Sequence, residues 1–229
     1  MTEIPPVNTG SQGPLRNKEW WFGYYSPKRI RHQNIQIHMI RDLDVQAILE
    51  VGPAGGYVTA LLKNIGYSVT TLDYIEKDFD YPECDHVKCD LTEAFPRIGT
   101  AFDLVICCET LEHIARGRAE ELLRDFHDTG SRYLLVSVPY SGLMFYGEFM
   151  ISPHEAFATI FAKWKEALRR YVPETHPYGH KWELGTLGLP VRGWEDALRK
   201  AGWRIMSRRI SSPTRSVFHL CERVPRPGR

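Results

Sequence analysis

Cysteine is scarce and unpatterned: five residues, at 84, 89, 107, 108 and 221, an odd number without paired spacing. That leaves no disulfide framework and no thiolate zinc knuckle, and points to reduced thiols in an intracellular, cytoplasmic protein. Long apolar runs are missing as well. No stretch of 18 apolar residues occurs, so no membrane span or membrane partner is expected. The first residues lack both a basic segment and an apolar core, so 1–19 is read as a flexible leader rather than a secretion signal. An excess of either charge is absent too, with 29 basic against 28 acidic residues and a net charge of +1. The whole molecule therefore has no field that would gather a polyanion. Arginines do crowd the end, at 204, 208, 209, 215, 223, 226 and 229. They are read as a solvated face followed by a Pro/Arg-rich tail, 223–229.

What remains is 229 residues with a large apolar fraction and no linker, the size of one domain, here 20–222. Trp20, Trp21, Phe22, Tyr24 and Tyr25 form an aromatic group that either packs against the domain or lids the substrate pocket. Ser26-Pro27 after it reads as cap and first turn of a helix reaching about Ile40, with Ile30, Ile37 and Ile40 on one face. Strands are expected over 45–51, 68–72, 86–89, 102–108, 132–138, 203–208 and 216–222. Helices are expected where Val58, Leu61, Leu62 and Ile65 recur before Gly66, where Ala119, Leu122, Leu123 and Phe126 recur before Gly130, and over 193–201. Strands alternating with helices imply an α/β, doubly wound, mostly parallel seven-stranded sheet. A hairpin across 211–214 makes the last strand antiparallel. An insertion over 139–192, with a helix at 153–170, follows the carboxyl end of a parallel strand, where such sheets place ligands. It is the expected substrate side.

The run Glu50-Val51-Gly52-Pro53-Ala54-Gly55-Gly56-Tyr57 links the first strand to its helix. Gly52 and Gly56 lack a Cβ, so backbone N–H groups there can approach a ligand closely. No Lys-Ser/Thr pair follows, which disfavours a phosphate-cradling loop. Asp73 stands 23 residues beyond Glu50 at the end of the next strand, where a carboxylate can accept ribose hydroxyls. Asp90, past the third strand, is placed to meet an adenine amino group.

These residues closely resemble the class I S-adenosylmethionine-dependent methyltransferases, a Rossmann-like family. The resemblance covers about 44–113 well and the rest by strand order. It implies that Glu50, Gly52, Ala54 and Gly56 surround the methionine part of S-adenosyl-L-methionine, with Ala54 where the family's middle glycine stands. It further implies Asp73 at the ribose, Asp90 with Leu91 at the adenine, and Glu109 under the methionine end. A nicotinamide dehydrogenase would share the strand–helix–strand logic but needs a catalytic donor arrangement that is not found.

Two carboxylates and an imidazole close the fourth strand, in Glu109-Thr110-Leu111-Glu112-His113. Buried, they are costly unless paired, so they should meet solvent or ligand. The run resembles that of small-molecule methyltransferases, including quinone O-methyltransferases, which implies His113 as base or substrate-orienting group. Together with Gly179-His180-Lys181-Trp182-Glu183 it also resembles, in part, metal-dependent RNA 3′-terminal 2′-O-methyltransferases. That likeness implies a divalent cation, Mg²⁺ or Mn²⁺, held by Glu109, Glu112, His113 and His180. The family's further histidine is displaced here, at His176, and Trp182-Glu183-Leu184 only approximates its Phe-Glu-Trp. His154 and His176 are further residues that can face the pocket, and Lys181 and Arg192 are weak candidates for an acidic substrate. The expected activity is methyl transfer to a hydroxyl of a small metabolite, with His113 or His180 taking the proton. Metal-dependent RNA 2′-O-methylation, N- or C-methylation and a non-catalytic adenosine-ligand-binding subunit are the alternatives.

Overall fold

The computed structural model describes residues 18–75, 84–151, 153, 156–163, 179–211 and 216–225. His154, His176, the segment 164–178 and the arginines at 215, 226 and 229 lie outside the described residues.

Two helices come first, α1 (Lys18–Tyr24) and α2 (Pro27–Ile40). Ser26 caps α2 by accepting a hydrogen bond from the Arg29 amide, with Pro27 in the first turn where its missing N–H costs nothing. The expected face of α2 is met in part: Ile40 is buried and Ile37 packs against the core, but Ile30 is exposed, and Ile35, His32, Gln33 and Gln36 are buried beside them. Polar residues on a packed face are costly unless they meet a complementary group, and His32 Nε2 lies 3.6 Å from the Glu109 carboxylate at the site described below.

The repeating unit follows: β1 (Ala47–Val51), α3 (Tyr57–Ile65), β2 (Ser68–Asp73), β3 (Asp85–Lys88), β4 (Leu104–Cys108), a short 3₁₀ turn (Leu111–His113), α4 (Arg116–Asp128) and β5 (Tyr133–Pro139). Gly66 ends α3 with φ +109°, its amide bonding back to the Leu62 and Lys63 carbonyls. After the insertion come α5 (Val191–Lys200), β8 (Trp203–Ile210) and β9 (Ser216–Arg223).

The sheet has seven strands in the order β3-β2-β1-β4-β5-β9-β8. β3, β2, β1, β4 and β5 are mutually parallel, and β9 runs antiparallel to both β5 and β8. The last strand of the chain is thus the antiparallel one, inserted between its neighbours. Both faces of the sheet are covered, which is why β1, β4 and β5 read as almost continuous apolar runs. On one face Leu49, Val105, Cys107, Leu134 and Val136 pack with Leu122, Phe126, Trp194 and Leu198 of α4 and α5. On the other, Ile48, Leu104, Ile106 and Leu135 pack with Ile35, Ile40, Val58 and Leu62 of α2 and α3.

The insertion differs from its expected form. Residues 156–163 are not helical: β6 (Met144–Ile151) and β7 (Ala156–Lys163) form a separate antiparallel hairpin, in register from Met144–Lys163 to Ile151–Ala156. Phe157, Thr159, Ile160 and Phe161 are strand formers, and a paired partner strand satisfies their backbone groups as well as a helix would.

Among the described residues, two of the terminal arginines are held in ion pairs and a third bonds a backbone carbonyl. Arg204 pairs with Glu222, Arg208 with Glu195 at 3.0 Å, and Arg223 donates to the His127 carbonyl.

Candidate active site

The turn between β1 and α3 has the conformation its glycines permit. Gly52 (φ +72°) and Gly56 (φ +74°) are left-handed, and Gly56 occupies the N-cap of α3 without a side-chain cap. The first amides of α3 are accordingly not taken up by a capping side chain. At Gly52 an added Cβ would lie 2.2 Å from the Thr110 hydroxyl and 3.0 Å from its methyl group. The glycine therefore lets the end of β1 and the end of β4 touch. Ala54, in the place of the family's middle glycine, also has positive φ, +50°. It tolerates a conformation that costs an L-residue roughly 1–2 kcal/mol.

Glu50 is buried and accepts a 2.6 Å hydrogen bond from Thr59 in α3. Burial raises its pKa to about 7, and the Thr59 bond opposes this only in part. Glu50 thus ties β1 to α3 beneath the turn. Asp73 ends β2, and its Oδ1 accepts from the Tyr74 amide at 2.7 Å. Asp90 is exposed, and its Oδ1 accepts from the amide and hydroxyl of Thr92 at 2.8 and 2.7 Å. Those two bonds hold its carboxyl below the usual range. Leu91 beside it is buried in the core, an apolar wall at the same end of the sheet. Tyr24 and Tyr25 reach over the turn and stack with Tyr57, at 6.4 and 4.8 Å between ring centroids. These two tyrosines thus border the glycine turn. The donor set suits a nucleoside with a charged amino-acid arm: left-handed glycines and uncapped helix amides at the turn, with carboxylates at the ends of β2 and β3.

Beyond β4 the polar residues divide into two groups. Glu109 (φ +54°) turns toward α2, β5 and β9. Its oxygens accept from Ser137 and Ser216, each at 2.9 Å, and His32 Nε2 lies 3.6 Å away. Burial alone would raise the Glu109 pKa, but His32 and the two hydroxyls outweigh it and lower it. Sequence reasoning missed His32, Ser137 and Ser216, because their proximity depends on three separate elements.

Glu112, His113 and His180 form the second group, with one ligand atom from each lying within 4.8 Å of the others. Glu109 is not in it. Of the four expected ligand residues the structure brings three together, and the Glu109 carboxylate is bound on the other side by Ser137 and Ser216. Glu112 is 1% exposed, and neither of its carboxylate oxygens has a hydrogen-bond partner among the described residues. Its Oε1 lies 4.0 Å from His113 Nε2 and 3.9 Å from His180 Nε2, and the two rings meet edge to face at 5.0 Å. Burial raises the Glu112 pKa well above the usual range, with the charges of Glu109 and Glu183 adding to it.

His180 arrives by long-range backbone ties. The Lys181 amide donates to the Glu112 carbonyl at 2.7 Å, and Trp182 Nε1 donates to the Ile114 carbonyl at 2.9 Å. The Leu184 amide donates to Pro139 at 3.0 Å, and the Ser141 amide to Leu184 at 2.8 Å. The segment is stitched along the exits of β4 and β5. Lys181 and Arg192 are exposed.

Residues 49–129 match the family described as methyltransferase domain. The ubiquinone biosynthesis O-methyltransferase of Rickettsia akari (strain Hartford) is 29% identical over 110 residues, 43% of this chain and 44% of that enzyme. The match thus spans less than half the length of that curated relative. Among solved structures, the N-methyltransferase NodS of Bradyrhizobium japonicum WM9, in complex with S-adenosyl-L-homocysteine, aligns with a TM-score of 0.59 at 12% identity, covering 90% of this chain and 93% of that one. The 1,6-didemethyltoxoflavin-N1-methyltransferase of Burkholderia thailandensis aligns at 0.54 and 15% identity, covering 97% and 95%. Strand order, the antiparallel last strand and these alignments agree: the chain has the Rossmann-like fold of class I S-adenosylmethionine-dependent methyltransferases, with the methyltransferase domain match over residues 49–129.

Proposed function

We propose that the chain transfers the methyl group of S-adenosyl-L-methionine to a hydroxyl of a small metabolite. The observation that carries this reading is the Glu112, His113 and His180 cluster beyond β4 and β5, on the methyltransferase fold and beside its glycine turn. The cofactor supplies an electrophilic methyl on a sulfonium. The backbone at Gly52, Ala54 and Gly56 would hold its amino-acid end, with Asp73 at the ribose hydroxyls and Asp90 and Leu91 at the adenine. In transfer the carbon–sulfur bond breaks with its electron pair left on sulfur, and a carbon–oxygen bond forms. The hydroxyl proton passes to His113 or His180, whose imidazole nitrogens can accept it. The O-methyltransferase named among the relatives supports an oxygen acceptor, and the N-methyltransferases among the structural neighbours make an amine the nearest alternative.

A second reading rests on the buried carboxylate of Glu112, which has no hydrogen-bond partner among the described residues. A buried carboxylate without donors is costly, and a cation removes that cost. One carboxylate with two imidazoles suits Mn²⁺ or a similar transition metal better than Mg²⁺, which prefers oxygen ligands. Such an ion would bind the acceptor hydroxyl and lower its pKa. Glu112, His113 and His180 are the residues that would hold it.

Purified protein incubated with labelled S-adenosyl-L-methionine and panels of phenols and polyols, amines and RNA ends, with Mn²⁺, Mg²⁺ or chelator, tests both readings. Labelled ethers are the expected product, and Glu112→Ala and His180→Ala should each lose at least about 100-fold in kcat/KM. Labelled amines or RNA would overturn the small-hydroxyl acceptor. Full activity after exhaustive chelation would overturn the cation. Binding of S-adenosyl-L-homocysteine without transfer to any panel would leave an adenosine-ligand-binding subunit.

A further inference from the structure

The His180 ring has two nitrogens, and the chemistry proposed above uses only one of them. Its Nδ1 lies 2.8 Å from Glu183 Oε1, while its Nε2 lies 3.9 Å from Glu112 Oε1. Glu183 is buried, and its second oxygen accepts from the Ser141 hydroxyl. A carboxylate can only accept, so the His180 nitrogen facing it must carry the proton. In a neutral ring the other nitrogen is then a lone pair. We propose that Glu183, anchored by Ser141, is a positioning residue that fixes His180 in its Nδ1–H tautomer and aims the unprotonated Nε2 at Glu112.

This inference rests on the reading of His180 as a member of the reactive cluster. A lone pair at Nε2 is what either role demands, since a proton acceptor and a metal ligand both need it. The anchoring also explains the exit of β5. Ser141 is the second residue past that strand, and its amide is bonded to Leu184 while its side chain is bonded to Glu183. Backbone and side chain of one residue thus hold the segment that carries His180. The same segment is tied to Glu112 through the Lys181 amide, so both ends of the Glu183–His180–Glu112 line are held by residues that follow β4 and β5. Burial of Glu183 keeps water from competing for Nδ1, and a water there could accept or donate and so leave the tautomer undetermined.

The test reads the proton directly. Nitrogen-15 NMR of the full chain, with the His180 signals assigned by their loss in His180→Gln, reports the tautomer at a pH where the ring is neutral. The expected result is a proton on Nδ1 in the wild type and a mixture of tautomers in Glu183→Ala. Ser141→Ala, a milder change that leaves the carboxylate in place, should lie between the two, and Glu183→Asp should restore part of the wild-type state. Mn²⁺ titration followed by the EPR signal of the free ion should show affinity about 10–100-fold weaker in Glu183→Ala. A proton on Nε2 in the wild type would overturn the proposal, as would a wild-type tautomer in both Glu183→Ala and Ser141→Ala. A wild type that binds no Mn²⁺ yet holds the proton on Nδ1 sinks the cation reading and supports the positioning role, with Nε2 then serving as proton acceptor.

Discussion

The region from β1 to β4 and the region from β5 to α5 solve the same problem, holding polar groups at the carboxyl end of the sheet, in different ways. In the first, three carboxylates at or near strand ends have a partner close in sequence: Glu50 with Thr59, Asp73 with Tyr74, Asp90 with Thr92. In the second, partners come from afar: His180 meets Glu112, Glu183 meets Ser141, and Glu109 meets Ser216. Short-range ties make these groups a property of one turn and its flanking strands. Long-range ties make the second set a property of the assembled fold.

Three substitutions sharpen that contrast by acting on the first region alone. The largest effect is expected from Gly52→Ala. The new Cβ would meet Thr110 at 2.2 Å in a left-handed backbone, and Thr110 is held by the carbonyls of Val51 and Cys108. Strain and overpacking together should cost about 3–5 kcal/mol, read by urea unfolding, with S-adenosyl-L-homocysteine binding lost in calorimetry. Unchanged stability would mean that β1 and β4 do not touch there.

Glu50 comes next. Its folded pKa is raised to about 7 from an ordinary value of 4.5, so between those values the folded state binds more protons than the unfolded one. Stability from this group therefore falls as pH rises from about 4.5 to about 7, by an amount on the order of 3 kcal/mol. Glu50→Gln keeps a hydrogen-bond acceptor for Thr59 and should flatten that slope when unfolding is followed across the same pH range. A slope that persists in the variant would assign the titration to another group.

The smallest effect belongs to Ala54→Gly. Relief of the left-handed alanine is offset by the greater entropy of an unfolded glycine, leaving a gain of about 0.5–1 kcal/mol in thermal unfolding. A loss of stability would show that the Ala54 methyl group packs to advantage.

Much of the first region was legible because its signals are local. The apolar run of β4 ending in Glu109, the helix stop at Gly66 and the buried Ala119, Leu122, Leu123 and Phe126 of α4 all follow from spacing within about a dozen residues. The hairpin over 144–163 was not legible. Residues 156–163 carry helix formers and strand formers together, and only pairing with 144–151 decides between them. Glu109 and Glu112 look alike in sequence, yet one is bound by two serines and the other has no hydrogen-bond partner on either buried oxygen among the described residues. Three residues apart, on either side of a left-handed turn at Glu109, they face different neighbours.

The sequence by itself determined the doubly wound sheet and the glycine turn, since hydrophobic period and backbone freedom are written residue by residue. It also singled out Glu112, His113 and His180, which the fold brings together. Only the tertiary structure decided that Glu109 leaves that group and that Glu183 faces the far side of the His180 ring. Hydrogen bonds between segments tens of residues apart form only once the core has set their distance and direction.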